Sequence, residues 1–118
     1  MTTREVAEAF AALCRDGEGR AAAERFWAED VVSLEAMDGP MARLAGKAAV
    51  FEKHDWWESA MEFHGGDVEG PYVHGDQFAL RFTMDVTNRE TGERSRSAEI
   101  GLYTVKDGRI VEERFFYG

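Results

Sequence analysis

Apolar residues return at three- and four-residue steps near the start of the chain, at Val6, Ala9, Phe10, Leu13 and Cys14, which predicts a helix over residues 3–15. Asp16-Gly17-Glu18-Gly19 closes it, because glycine accepts the left-handed conformation that ends a helix. The pattern resumes over residues 20–28 with Ala22, Ala23, Phe26 and Trp27, and then changes to a β-branched, strand-like run from Val31 to Ala36. From Gly46 to about Met61 the apolar positions Val50, Phe51, His54, Trp57 and Met61 define a third, amphipathic helix, with Glu52, Lys53, Asp55 and Glu58 filling its other side.

The second half reads as β-structure. Phe63 to Val73 is an irregular strand, interrupted by Gly65-Gly66 and Gly70-Pro71, where a bulge or bend is expected. The clearest alternation sets Phe78, Leu80, Phe82, Met84 and Val86 against Ala79, Arg81, Thr83, Asp85 and Thr87. A three-residue turn at Glu90-Thr91-Gly92 would put Met84 opposite Ala98 and Phe82 opposite Ile100. A two-residue turn at Asp107-Gly108 would set Thr104, Leu102, Ile100 and Ala98 opposite Val111, Glu113, Phe115 and Tyr117. On that register Arg81, Asp85, Glu99, Tyr103, Glu112, Arg114 and Phe116 share the reverse face as a ladder of charges, and Glu99 reads as a solvated or interface ion-pair residue. Helices first and an antiparallel sheet after make a single α+β domain over residues 1–118.

Composition narrows the function classes. A formal net charge of −9 repels phosphate backbones and anionic lipid, so no nucleic acid and no membrane surface is expected as a partner. No run approaches the roughly 18 apolar residues of a membrane span, and the first residues lack the apolar core of a signal peptide. The lone cysteine, Cys14, fits a reducing compartment, and the expected location is the cytoplasm. His54, His64 and His74 lack the close spacing of a metal site, so neither metal nor cofactor is expected.

The order α-α-β-α-β-β-β-β, the helix hairpin ending in FWAEDVV, the LAGKAAV that opens the third helix and the final hairpin YTVKDGRIVEERFFYG together resemble the nuclear transport factor 2-like superfamily. Within it the chain resembles SnoaL-like small proteins, relatives of ketosteroid isomerases and polyketide cyclases. The resemblance implies a cone-shaped α+β barrel, three helices packed on a curved antiparallel sheet around a pocket, and a homodimer through the sheet's outer face. It also places the general-base carboxylate of the isomerase-like pattern on Glu35. The two oxyanion donors of that pattern fall on Phe10 and Ile100, neither of which donates a hydrogen bond, so true ketosteroid isomerase chemistry is not expected.

Two readings of Glu35 compete. Alternation groups Val32, Leu34 and Ala36 and leaves Val31, Ser33 and Glu35 on the other side, which would expose the glutamate; a strand covered on both faces would instead turn it into the cavity. His54 is either a core histidine or half of a proton-transfer pair with Glu35. Glu113 shares the face of Val111, Phe115 and Tyr117, where an unpaired charge costs several kcal/mol, so it requires a partner, a raised pKa or a route to water. Phe10, Trp57, Phe82, Met84, Ile100, Phe115 and Tyr117 are the candidate walls of a site for a small, flat apolar ligand, and Asp38, Met41 and Arg43 belong to a loop at its entrance. Two functions follow. One is a cofactor-free isomerase, cyclase or hydratase acting on a small apolar carbonyl compound, with Glu35, His54 and Glu113 as its catalytic groups; the other is a binding or dimerisation module without turnover.

Overall fold

The computed structural model describes residues 1–117. Nine elements follow one another: α1 (Thr3–Arg15), α2 (Gly19–Phe26), β1 (Trp27–Leu34), β2 (Arg43–Ala45), α3 (Lys47–Ala60), β3 (Met61–His74), β4 (Gln77–Asn88), β5 (Arg94–Lys106) and β6 (Arg109–Phe116). Three helices pack on a six-stranded sheet of order β2-β1-β6-β5-β4-β3, an α+β fold. The sheet is open, with β2 and β3 at its edges, and it is mixed rather than antiparallel throughout, because β1 runs parallel to β6. Among the described residues no helix is long and apolar enough to cross a membrane.

Local chemistry explains the helix boundaries. Thr2 and Glu5 form a reciprocal capping box at the start of α1: the Thr2 hydroxyl accepts from the Glu5 N–H at 3.1 Å, and the Thr2 N–H donates to the Glu5 carboxylate at 3.0 Å. At the far end Gly17 takes a φ of 75°, while Glu18 N–H returns to the Leu13 carbonyl at 2.8 Å and Gly17 N–H to that of Cys14 at 3.2 Å. Helix α2 passes without a loop into β1, because Trp27 is already extended. Trp27 therefore belongs to the strand, and the second helix is shorter than its apolar pattern suggested.

The core lies between the helices and the concave face of the sheet. Phe10 of α1 packs edge-on to Phe26 and Phe78 and lies 5.0 Å from the Tyr103 ring, which stacks on Phe78 at 4.9 Å. Gly101 makes room for this stack, since a Cβ there would fall 2.8 Å from the Tyr103 hydroxyl.

Two registers differ from the sequence expectation, and both matter for the site. The β4–β5 turn holds four residues rather than three: Asn88 and Glu93 are joined by a backbone hydrogen bond of 2.8 Å, and Phe82 therefore pairs with Glu99 and Met84 with Ser97. A one-residue slip turns every β5 side chain over. Ser97, Glu99, Gly101, Tyr103 and Val105 take the concave face of Phe82 and Leu80, and Ala98, Ile100 and Leu102 take the convex one. A bulge in β6 between Ile110 and Glu112 then shifts the second hairpin by one residue, pairing Tyr103 with Glu113 and Ile100 with Phe116. The β6 residues Glu113 and Phe115 consequently keep the inward orientation expected of them.

The expected irregularity in β3 is present, as register shifts between Phe63 and Gly65 and between Glu69 and Tyr72. At Gly66 a Cβ would lie 2.0 Å from the Thr83 carbonyl oxygen, whereas at Gly65 it would meet nothing within 4 Å. Backbone cannot move aside as a side-chain tip can, so Gly66→Ala should lose about 1–3 kcal/mol, the usual cost of overpacking. Gly65→Ala should stay within about 0.5 kcal/mol of the parent, as surface changes generally do; chemical denaturation of the two variants side by side checks this.

Candidate functional site

The concave face of the sheet and the facing side of α3 enclose a cavity of about 1090 Å³. Its walls are mainly aromatic and methionine side chains, among them Trp27, Phe51, Trp57, Phe82, Met84 and Phe115. Polar groups gather at one wall. They arrive there by register: Ser33, Glu113, Tyr103 and Phe78 form a single row across β1, β6, β5 and β4.

Glu113 is 1% exposed and Ser33 is 0% exposed. A carboxylate so placed must be hydrogen-bonded, and its Oε2 accepts from the Ser33 hydroxyl at 2.6 Å and meets His54 Nε2 at 3.0 Å. Ser33 Oγ also accepts from Lys53 Nζ, and Lys53 forms an ion pair of 2.7 Å with Glu35 Oε1. The other oxygen of Glu35 accepts from the Tyr117 hydroxyl at 2.9 Å. Six side chains thus make one unbroken network: Tyr117, Glu35, Lys53, Ser33, Glu113 and His54. Lys53 is only 6% exposed, and its ammonium lies 5.3 Å from the centre of the Phe115 ring, whose negative face adds to its stabilisation.

Glu99 stands beside this network on β5, facing the cavity. Burial pushes its carboxyl up to about 7, and the negative charge of Glu35 pushes the same way. So raised, the carboxyl can carry a proton near neutrality and donate it into an apolar space. Burial, reinforced by hydrogen bonding to Glu35, raises the Tyr117 hydroxyl, and burial carries that of Tyr103 far above its ordinary value. Cys14 also lines the cavity, and burial raises its thiol to about 11, which keeps it protonated and unreactive.

The structure brings together the three groups singled out in the sequence: Glu35, His54 and Glu113 all open on the cavity. Glu35 takes the inward position that simple alternation opposed, because Val31 and Ser33, on its side of β1, are both buried. His54 pairs with Glu113, not with Glu35. Phe10, Trp57, Phe82, Met84, Phe115 and Tyr117 line the cavity. Ile100 does not: the register slip puts it on the convex face, opposite Phe116. In the loop after β1, Asp38 and Met41 line the cavity, while Arg43 begins β2 and is exposed.

Three members of the site were missed in sequence. Lys53 had been assigned to the polar side of α3, yet its long stem reaches back over Phe115; the available signal was the demand of Glu113 for compensation. Ser33 shares with Glu35 the side of β1 for which two readings compete, and carries no mark of its own there, while Glu99 was lost through the four-residue turn. Among the described residues no group of three or more histidine, cysteine or acidic side chains is placed to hold a metal ion.

The chain matches the family model of the SnoaL-like domain over residues 1–117. Among solved structures it is similar to a candidate SnoaL-like polyketide cyclase of Mesorhizobium loti that also bears the label carbohydrate phosphatase. The identity is 56%, with 99% of this chain and 100% of that chain covered, and the TM-score is 0.97. A Xanthomonas campestris protein of unknown function with a cystatin-like fold superposes with a TM-score of 0.83 at 20% identity, covering 100% of this chain and 92% of that one. For a candidate isomerase of Bacillus subtilis the values are 0.72 and 23%, covering 100% and 90%. At such identities these two likenesses show the fold alone. No curated protein sequence matches the chain.

The raised Glu99 pKa makes stability depend on pH. Folding lifts this carboxyl from 4.5 to about 7, so the stability tied to its protonated form is complete below pH 4.5 and is lost as pH rises through about 7. Glu99→Gln, neutral at every pH, should therefore match the parent near pH 4.5 and exceed it at pH 8 by on the order of 3 kcal/mol. Urea denaturation at the two pH values measures the difference.

Proposed function

The chain belongs to the SnoaL-like family, and from that membership we propose that its cavity performs cofactor-free proton transfer on a small apolar carbonyl compound, as an isomerase, cyclase or hydratase does. The observation that carries this reading is the placement of a hydrogen-bonded His54–Glu113 pair and the Glu99 carboxyl at the same wall of one apolar cavity.

The geometry supports a different division of labour from the one expected of Glu35. Both oxygens of Glu35 are engaged, one by Lys53 and one by Tyr117, so a substrate C–H would have to compete with two donors already in place. His54 is the better base, oriented by Glu113 as an imidazole is oriented by a carboxylate in many acid–base sites. It takes a proton from the carbon beside the substrate carbonyl. Glu99 gives its proton to the carbonyl oxygen, so that the intermediate is a neutral enol and no buried oxyanion builds up. Return of the His54 proton to a different carbon, with the enol O–H giving its proton back to Glu99, completes an isomerisation; in a cyclisation the enol carbon bonds to a second carbonyl carbon, whose oxygen takes the proton from His54 while the enol O–H proton returns to Glu99. The Lys53 ammonium offsets part of the negative charge that Glu99 acquires when it gives up its proton. Acid–base chemistry of this kind also fits the wall better than phosphoryl transfer, because Glu35, Glu99 and Glu113 repel a phosphate and only one buried cation, Lys53, offsets them.

We further propose a homodimer through the convex sheet face. With β5 in its actual register, that face carries Ala79, Ile100, Leu102 and Phe116 in neighbouring rows, a more apolar surface than the charge ladder read from the sequence.

Deuterium exchange into 2-tetralone, a small apolar ketone, followed by NMR in heavy water, tests the chemistry. The parent should accelerate exchange over buffer, and His54→Gln should lose about 10²–10⁴-fold of that acceleration, the usual worth of a positioned general base. Full activity in His54→Gln, or none in the parent, would sink the reading in favour of a binding module. Sedimentation at micromolar concentration should find a dimer for the parent and a monomer for Ile100→Lys, which puts a charge into the proposed contact.

A further inference from the structure

Hydrogen bonds in the polar network have a direction, and one residue sets it. The Lys53 ammonium has only donors to offer, so Ser33 Oγ, which it touches, must accept. A serine hydroxyl has one proton, and once its oxygen is accepting from Lys53 that proton is free to point only at Glu113 Oε2, 2.6 Å away. The same Oε2 lies 3.0 Å from His54 Nε2. An ionised carboxylate has only lone pairs to offer, so an Oε2 that accepts from the serine is an acceptor toward His54 as well.

We infer that Lys53, acting through Ser33 and Glu113, fixes neutral His54 as its Nε2–H tautomer and leaves Nδ1 as the unprotonated nitrogen available to a ligand. Lys53 and His54 are neighbours in α3, but their side chains communicate through β1 and β6 rather than along the helix. Among the described residues Nδ1 has no hydrogen-bond partner, and it is not one of the buried polar atoms left without one, so it is open to the cavity or its solvent. The charged groups around the ring agree with this direction. Glu113 attracts the Nε2 proton, and Glu35, which could otherwise compete for a proton, is already satisfied by Lys53 and Tyr117.

The inference deepens the reading of His54 as the base, because it names the atom that accepts the proton and the residues that hold it ready. Lys53 and Ser33 are positioning residues on this view. It also sets a condition on the ligand: whatever sits at Nδ1 must present a hydrogen to it, either an acidic C–H or an O–H or N–H, and not a lone pair.

The test is the imidazole pattern in long-range proton–nitrogen correlation spectra of the nitrogen-labelled chain, at a pH where the ring is neutral. Its three histidines are distinguished by His54→Gln, which deletes one pattern. The expected result in the parent is a dominant Nε2–H form for His54, and a dominant Nδ1–H form would overturn the inference without any variant. In Lys53→Met, which keeps the length of the stem and removes its donors and its charge, the serine no longer has to donate to Oε2, Glu113 takes up a proton from solvent and donates it to Nε2, and the Nδ1–H form should become the major one. An unchanged Nε2–H form in a folded Lys53→Met would overturn the role of Lys53. Lys53→Arg, again a pure donor, should retain the parent pattern, and a switch there would count equally against it. The two readings fail separately. An Nδ1–H ring whose His54→Gln variant still loses ketone exchange defeats the relay alone, whereas an Nε2–H ring with full exchange in His54→Gln defeats the base assignment alone.

Discussion

A carboxylate at 1% exposure is the constraint around which this protein is arranged. Left alone in apolar surroundings, Glu113 would cost several kcal/mol or surrender its charge. It keeps company instead with a serine hydroxyl from β1 and an imidazole from α3, and the serine brings in a lysine from the same helix. That lysine would itself be a buried, uncompensated cation were Glu35 not within 2.7 Å. Each polar group is thus tolerated because of the next. The network joins the first strand, the third helix and the last strand at the wall of the cavity.

Such a network needs strands in specific registers, and two irregularities provide them. The bulge in β6 changes which side of the strand follows Ile110, so that a buried isoleucine and a buried glutamate, three residues apart, share one face. The four-residue turn between β4 and β5 turns Glu99 and Tyr103 inward. Without the first, Glu113 would face the convex side; without the second, the cavity would be walled by Ile100 and Leu102 and would hold no proton donor on that strand. Placement of the acidic wall is therefore a property of turn length and bulge position as much as of the acidic residues.

This is why the fold was legible in the sequence and the site only partly so. Helical periodicity at Val6 to Cys14 and at Val50 to Met61, together with strict alternation from Phe78 to Val86, reports burial averaged over many residues, and a local error does not erase it. A register is a parity: one uncounted residue in the loop exchanges the two faces of a strand. The count at Glu90-Thr91-Gly92 omitted Arg89, and Glu99 and Tyr103 were assigned outward as a result. Glu113 was recovered because two shifts of one residue, in the turn and in the bulge, cancel by the time the chain reaches β6. Strand β2, three residues long, carries too few positions to show any period, and the parallel pairing of β1 with β6 leaves no local mark at all. Lys53 was missed for a different reason: helical position locates a Cβ, while a lysine's charge sits four bonds further on.

The distribution of charge at the wall follows from the same geometry. Three carboxyl groups and one ammonium cannot all be ionised at neutral pH in a space this apolar without a net negative charge that nothing nearby balances. The proton needed to relieve it goes where ionisation is least supported. Glu35 has the ammonium and a phenol; Glu113 has a hydroxyl and an imidazole. Glu99 has burial and two like charges, Glu35 and Glu113, against it, with His54 and Lys53 offsetting only part, and its pKa rises to about 7. The carboxyl that the network does not bind is thus the one that most readily carries a proton, and a site containing three similar side chains is divided into acceptors and a donor by hydrogen bonding, burial and like-charge repulsion together.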